Sequence, residues 1–201
     1  ELRRVWELLE KNQFVLVSGK SGTGKSWLLK ACFNLLENHT TASPALLAPT
    51  AVAAVNIGGA TLHSWLAMGL ATEPIGVLLG KLRKGMFLKT QENVKFNDVL
   101  LIDEISMVDP MFFEKLAAIC AFLQSSRSVF GSLKLLLFGD FLQLPPITNT
   151  VFKYVFQTPT WTKMGVKRLV LRHVHRQKDP LFVRALNTVR VGVVNEEVEK
   201  V

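Results

Sequence analysis

Cysteine is nearly absent: among 201 residues only Cys32 and Cys120 occur. They lie far apart, each in a segment of apolar helical spacing, so both read as reduced core thiols and no disulfide framework is expected. No apolar run approaches the roughly 18 residues that a bilayer-spanning helix needs. The chain does not open on the charged and then apolar pattern of a signal peptide. These gaps argue against membrane and secreted classes and for an intracellular protein. There is no internal repeat and no low-complexity tract, which excludes solenoids and flexible linkers. Acid is also scarce. Asp and Glu number 16 against 24 Lys and Arg, a net charge of +8, and no acid stands between Asp140 and Asp179. A surplus of that sign favours a polyanionic partner.

What is present suits one globular α/β domain. Hydrophobic residues make up 49% of the chain, enough for a sizeable core. The chain begins at Glu1 without Met and stops at Val201 inside a charged, helix-like stretch, the pattern expected of a piece of a longer protein. The segment Gly19-Lys20-Ser21-Gly22-Thr23-Gly24-Lys25-Ser26 fits G-x-x-x-x-G-K-[ST] and follows the apolar run 14–17, which reads as a strand. Glycines let the backbone wrap an anion with its N–H groups pointing inward, and a helix starting near Gly24 adds the positive end of its dipole. On this reading Gly19, Gly22, Thr23 and Gly24 shape the loop, Lys25 reaches the terminal phosphates of a nucleotide, and the Ser26 hydroxyl serves Mg²⁺.

Strand and helix signals then alternate. A helix is expected over 1–11, a second to about Asn38, a strand over 45–48 and an Ala-rich helix over 51–56. Thr61 to Leu66 mixes polar and aromatic groups near a helix start, a cluster able to touch a nucleic-acid backbone. Residues 67–97, punctuated by Gly and carrying Lys81, Arg83, Lys84, Lys89 and Lys95, read as a small basic insertion, either a solvated excursion or a nucleic-acid-contacting subdomain. The apolar run 99–102 ends in Asp103 and Glu104, an arrangement in which the first acid holds Mg²⁺ and the second orients or deprotonates the attacking water. A helix from Asp109-Pro110 to Leu123 follows, then a strand over 133–138 leading into Gly139-Asp140-Phe141-Leu142-Gln143, whose glutamine can sense a γ-phosphate. Three strands thus deliver polar groups at their carboxyl ends, where open α/β sheets bind ligands. Beyond them Phe152, Tyr154, Phe156 and Trp161 sit among cations, either a stacking track for single-stranded nucleic acid or a core with a basic rim. A strand over 167–171 and a helix from Pro180 complete the chain. His173 and His175 would share one face of an extended strand without a third ligand, so no metal site is expected there. The alternation implies a mainly parallel sheet with helices on both faces.

In order, GKSGTGKS, APTAVAAVNIGGATLHS, LLIDEISMVD, LLLFGDFLQLPP and VHRQKDPLFVRALNTVR resemble motifs I, Ia with Ib, II, III and IV of superfamily 1B helicases, closest to the Pif1 family. The resemblance runs from about Phe14 to Arg190. It implies a P-loop NTPase RecA-like domain 1A with a small 1B-like insertion at about 67–97, using ATP and Mg²⁺. Lys25, Asp103, Glu104, Gln143 and Arg176 would be catalytic, Ser26 and Asp103 would serve the metal, and Arg176 would stabilise charge on the γ-phosphate. Pro49, Thr50, Thr61 and His63 match positions lining the single-stranded DNA path. Implied partners are single-stranded and forked DNA and a second RecA-like domain, which has no counterpart in these 201 residues. A single such domain is expected to be a monomer that hydrolyses little. In a eukaryote the resemblance implies the nucleus or mitochondrion, in a bacterium or virus the cytoplasm. Two rival readings are a P-loop kinase or NTPase that does not touch DNA, and a non-catalytic nucleic-acid-binding module.

Overall fold

The computed structural model describes residues 1–147, 151, 153–175 and 180–192, less the side chains of residues 180–183 and 187. Helix α1 (Leu2–Lys11) precedes β1 (Phe14–Gly19), α2 (Lys25–His39), β2 (Pro44–Ala48), α3 (Ala51–Ile57), β3 (Ala60–Thr61) and α4 (Leu62–Leu66). Helices α5 (Ile75–Arg83) and α6 (Leu88–Phe96) fill the insertion. They are followed by β4 (Val99–Ile102), α7 (Pro110–Leu123), β5 (Lys134–Gly139), α8 (Pro159–Met164), β6 (Lys167–Leu171) and α9 (Pro180–Arg190). Among the described residues the strands form one sheet in the order β3-β2-β4-β5-β1-β6, with every neighbouring pair parallel.

Strand side chains alternate between faces, and here both faces are apolar, as the unbroken hydrophobic runs require. Val15, Val17, Val99, Leu101, Leu136 and Phe138 join a core with Val5, Leu9, Leu28, Leu29 and Ile57, from α1 to α3. Their neighbours Phe14, Leu16, Leu100, Ile102, Leu135 and Leu137 join a second core with Leu62, Leu66, Phe113, Leu116 and Met164, from α4, α7 and α8. The expected two-faced parallel sheet is therefore present.

Several details depart from the expectations. The strand expected over 133–138 spans Lys134–Gly139, and the two-residue β3, too short for any periodicity, was not foreseen. His173 and His175 follow the end of β6 and belong to no strand, so the shared strand face assumed for them does not exist. The insertion is neither loose nor separate, because Leu78, Leu82 and Val94 are buried in the α7 core. Its polar ties include buried hydrogen bonds from Trp65 Nε1 to Asn97 Oδ1 at 2.8 Å and from Thr90 Oγ1 to the Leu66 carbonyl. Full burial of one such aliphatic side chain is worth roughly 1.5–3 kcal/mol. The half-exposed Lys81–Glu73 pair contributes at most about 1 kcal/mol, so apolar packing holds the insertion in place. Arg83, Lys84, Lys89 and Lys95 stay exposed on its outer side.

Candidate active site

The loop after β1 is shaped by close approach and by left-handed backbone. A Cβ on Gly19 would lie 2.7 Å from Thr23 Oγ1 and 3.0 Å from the Leu171 carbonyl oxygen, a clash that excludes any side chain. Gly22 and Gly24 have φ of 76° and 85°, where glycine alone is unstrained. Buried Thr23 closes the loop by donating to the Lys20 carbonyl at 2.8 Å. Helix α2 starts from Gly24 with no side-chain cap, so its first N–H groups and the positive dipole end face the loop. An anion is the natural partner there. The Lys25 ammonium donates to the carbonyls of Gly19 at 2.8 Å and Lys20 at 3.1 Å. Burial pulls its pKa below the usual lysine value, against the opposing charges of Glu104, Asp140 and Asp103.

The carboxyl end of β4 places its two acids differently. Asp103, 3% exposed, accepts from Ser26 Oγ at 2.9 Å and from the Glu104 N–H at 3.0 Å. Burial raises its pKa, and those hydrogen bonds and Lys25 oppose the rise. Glu104 adopts φ 48°, ψ 46°, a left-handed conformation uncommon for a residue with a side chain and frequent at functional sites. The reversal lets neighbouring acids occupy separate positions. Burial and then the Asp103 charge raise the Glu104 pKa, as suits a proton acceptor. Hydroxyl and carboxylate oxygens held 2.9 Å apart are the hard donor set that Mg²⁺ prefers.

Gln143, from the turn after β5, completes the group. A cavity of about 340 Å³ is lined by Lys25, Ser26, Glu104 and Gln143 with Trp27 and His175. Next to it a cavity of about 350 Å³ shares Gly24, Trp27 and His175 and is walled by Leu28 and Leu171. Together they offer a polar end and an apolar end around one loop. Trp27 and Arg190 were not singled out in the sequence, and His175 was weighed there only as half of a metal pair. Asp140 accepts a bidentate pair from Arg190 at 2.6 and 2.7 Å and the Gln143 amide at 3.2 Å. Arg190 carries no motif spacing of its own, whereas the acid-free stretch after Asp140 could have flagged that carboxylate. Arg176 lies outside the described residues.

The residues expected along a nucleic-acid path share another edge. Ala48 of β2 stands opposite Thr61 of β3, so Pro49, Thr50, Thr61 and His63 gather at the carboxyl ends of two adjacent strands. Here β2 directly neighbours β4 and its acids. Both threonine hydroxyls cap helices: Thr50 accepts from the Ala53 N–H at 3.2 Å and Thr61 from the Ser64 N–H at 3.1 Å. The His63 ring lies 4.1 Å from that of Phe112. Burial keeps its pKa below the usual imidazole value, with Asp109 opposing. Exposed Val52 and Val55 on α3 extend this edge, a feature no motif announced. The aromatic residues after motif III pack largely on one another. Phe141 meets Tyr154, Phe156 and Trp161 edge-on at 4.9–5.9 Å, and Tyr154 stacks on Phe156 at 5.2 Å. Phe141 and Trp161 pack against the α7 core, as the core reading expects, while Phe156 stays 41% exposed; Phe152 lies outside the described residues.

This fold and loop define a P-loop nucleotide-binding protein of the RecA-like type. Within that class the chain belongs to the PIF1-like helicase family, whose model matches residues 3–200. It is 40% identical over 186 residues to the ATP-dependent DNA helicase PIF1 of Danio rerio, covering 92% of this chain and 28% of that protein. The Pif1 helicase from Candida albicans superposes with a TM-score of 0.90 at 32% identity, over 99% of this chain and 45% of that one. A Bacteroides Pif1 helicase in complex with ADP-AlF3 and ssDNA gives 0.82 at 27% identity, over 98% of this chain and 47% of that one. The chain thus spans under a third of the curated relative and under half of each of the two structures.

Proposed function

We propose that this chain is the ATP-binding motor domain of a Pif1-like 5′-to-3′ DNA helicase, coupling ATP hydrolysis to movement along single-stranded DNA and to duplex unwinding. The observation that carries the reading is the convergence of Lys25, Ser26, Glu104 and Gln143 on one cavity, with Asp103 bonded to Ser26. The loop N–H groups and Lys25 bind the phosphates, Lys25 exchanging its carbonyl partners for phosphate oxygens. Ser26 and Asp103 would hold Mg²⁺, which supplies charge neutralisation across the phosphates when bound. Glu104 accepts the proton of the attacking water and Gln143 orients that water or the γ-phosphate. Arg176 is proposed as the cation facing the charge that develops there.

Pro49, Thr50, Thr61 and His63 would contact single-stranded or forked DNA, aided by the basic insertion as a 1B-like element. This edge adjoins the acids of β4, because β2 and β4 are neighbours in the sheet, a short route from hydrolysis to strand movement. The length of the relatives supports a second RecA-like domain in the full protein, closing over ATP and reopening after hydrolysis. The protein is proposed to act as an intracellular monomer, in the nucleus or mitochondrion if eukaryotic or the cytoplasm if bacterial or viral. ATP hydrolysis by the full-length protein, with and without single-stranded DNA and beside Lys25→Ala, tests the reading. DNA should stimulate turnover and Lys25→Ala should abolish it; turnover indifferent to DNA would reduce the protein to a plain NTPase.

A further inference from the structure

We propose that Arg190 is a positioning residue of the nucleotide site, acting through Asp140 on Gln143, an inference that rests on the ATPase reading above. Asp140 directly follows β5, the strand that lies between β4 with its acids and β1 with its phosphate loop. Its carboxylate is 3% exposed, and both oxygens are doubly engaged. Oδ1 accepts from Arg190 Nη2 at 2.6 Å and from the Leu142 N–H at 3.2 Å. Oδ2 accepts from Arg190 Nε at 2.7 Å and from Gln143 Nε2 at 3.2 Å. The Gln143 N–H also donates to the Asp140 carbonyl at 2.9 Å. An amide nitrogen carries two hydrogens, so one can remain on Asp140 while the other serves a phosphate oxygen.

The fork of Arg190 thus fixes the rotamer of the one carboxylate that aims Gln143, and a planar bidentate pair does so with more geometric force than a point charge. Opposed to this stands a purely structural role, pinning α9 to the sheet from fifty positions along the chain. The two differ in what they do to kinetics. A pin affects stability alone, whereas a positioning residue affects turnover and does so only while Gln143 is present.

The test compares Arg190→Ala and Arg190→Lys in the full-length protein, alone and in a Gln143→Ala background, reading DNA-stimulated ATP hydrolysis and thermal melting. Arg190→Ala should lower kcat roughly 10- to 100-fold with KM for ATP changed less than about threefold, because the ground-state phosphate contacts remain. Arg190→Lys should recover part of the loss. In the Gln143→Ala background the same change should cost less than about threefold, the non-additivity of groups acting as a unit. Should Arg190→Ala not fold, Arg190→Gln takes its place in the same cycle. Equal losses in both backgrounds, or a lower melting temperature with unchanged kcat, would overturn the inference. A wild type without ATPase activity removes the reading beneath it, whereas an active wild type matched by Arg190→Ala defeats this inference alone.

Discussion

The phosphate end of the sheet, at β1, β4 and β5, and the neighbouring edge at β2 and β3 are built on opposite terms. At the phosphate end polar side chains hold one another: Ser26 bonds Asp103, and Gln143 and Arg190 bond Asp140. Asp103 and Asp140 are each 3% exposed, so their geometry is set before any ligand arrives. At the edge the threonine hydroxyls serve the chain itself, as caps of α3 and α4, and Val52 and Val55 face solvent. The difference suits the proposed chemistry. Phosphoryl transfer needs fixed charges in a dry site, whereas a track for any sequence of single strand needs a surface that backbone and bases can slide across.

Changes at the phosphate end should therefore stop turnover and spare strand binding. Glu104→Gln keeps size and hydrogen bonding but removes the proposed base, so kcat should fall roughly 10²–10⁴-fold with nucleotide affinity little altered in a fluorescent-ATP titration. Lys25→Ala removes the buried donor proposed to bind the phosphates and should cost about 10²–10³-fold or more in kcat, together with affinity. Between the two regions, Leu82→Ala in α5 should lower unfolding free energy by about 2–5 kcal/mol, read by denaturant titration, while the catalytic residues stay in place. An equal loss of ATPase would show that the insertion and the phosphate end are not separable.

At the edge, Thr61→Ala removes an N-cap worth about 1 kcal/mol and should weaken single-strand binding, whereas Thr61→Ser should retain both. The smallest expected effect is one of pH. Burial, the largest single influence, raises the Asp140 carboxyl, but the bonds and charge of Arg190 with the bonds from Leu142 and Gln143 together outweigh it and hold the carboxyl below the usual range. The stability this pair contributes is then fully present above the ordinary carboxylate pKa of about 4 and is lost as the pH falls through the lower folded-state value. The melting curves of wild type and Asp140→Asn should differ at neutral pH and converge in acid. A gap that persists in acid would assign the effect to packing.

The parallel sheet and most of the phosphate end were legible because their signals are local. A strand followed by G-x-x-x-x-G-K-S, and apolar runs ending in Asp103 and in Asp140 to Gln143, need only a few consecutive residues. What could not be read depends on chain returns. Arg190 meets Asp140 across fifty positions, and Trp27 and His175 share a cavity where the chain returns and the His175 N–H donates to the Gly22 carbonyl at 2.8 Å. The insertion looked loose because its glycines and lysines obscure Leu78, Leu82 and Val94, whose burial follows from α7 lying alongside. The two caps are ordinary Thr residues in sequence, and only the register of β2 with β3 brings them together.

The most direct test pairs two readouts on Glu104→Gln in the full-length protein: DNA-stimulated ATP hydrolysis and affinity for a single-stranded oligonucleotide in the presence of ATP. If the two ends of the sheet are built as described, hydrolysis collapses while the strand is bound as tightly as by the wild type. Hydrolysis that survives, or strand binding that falls with it, would contradict that separation.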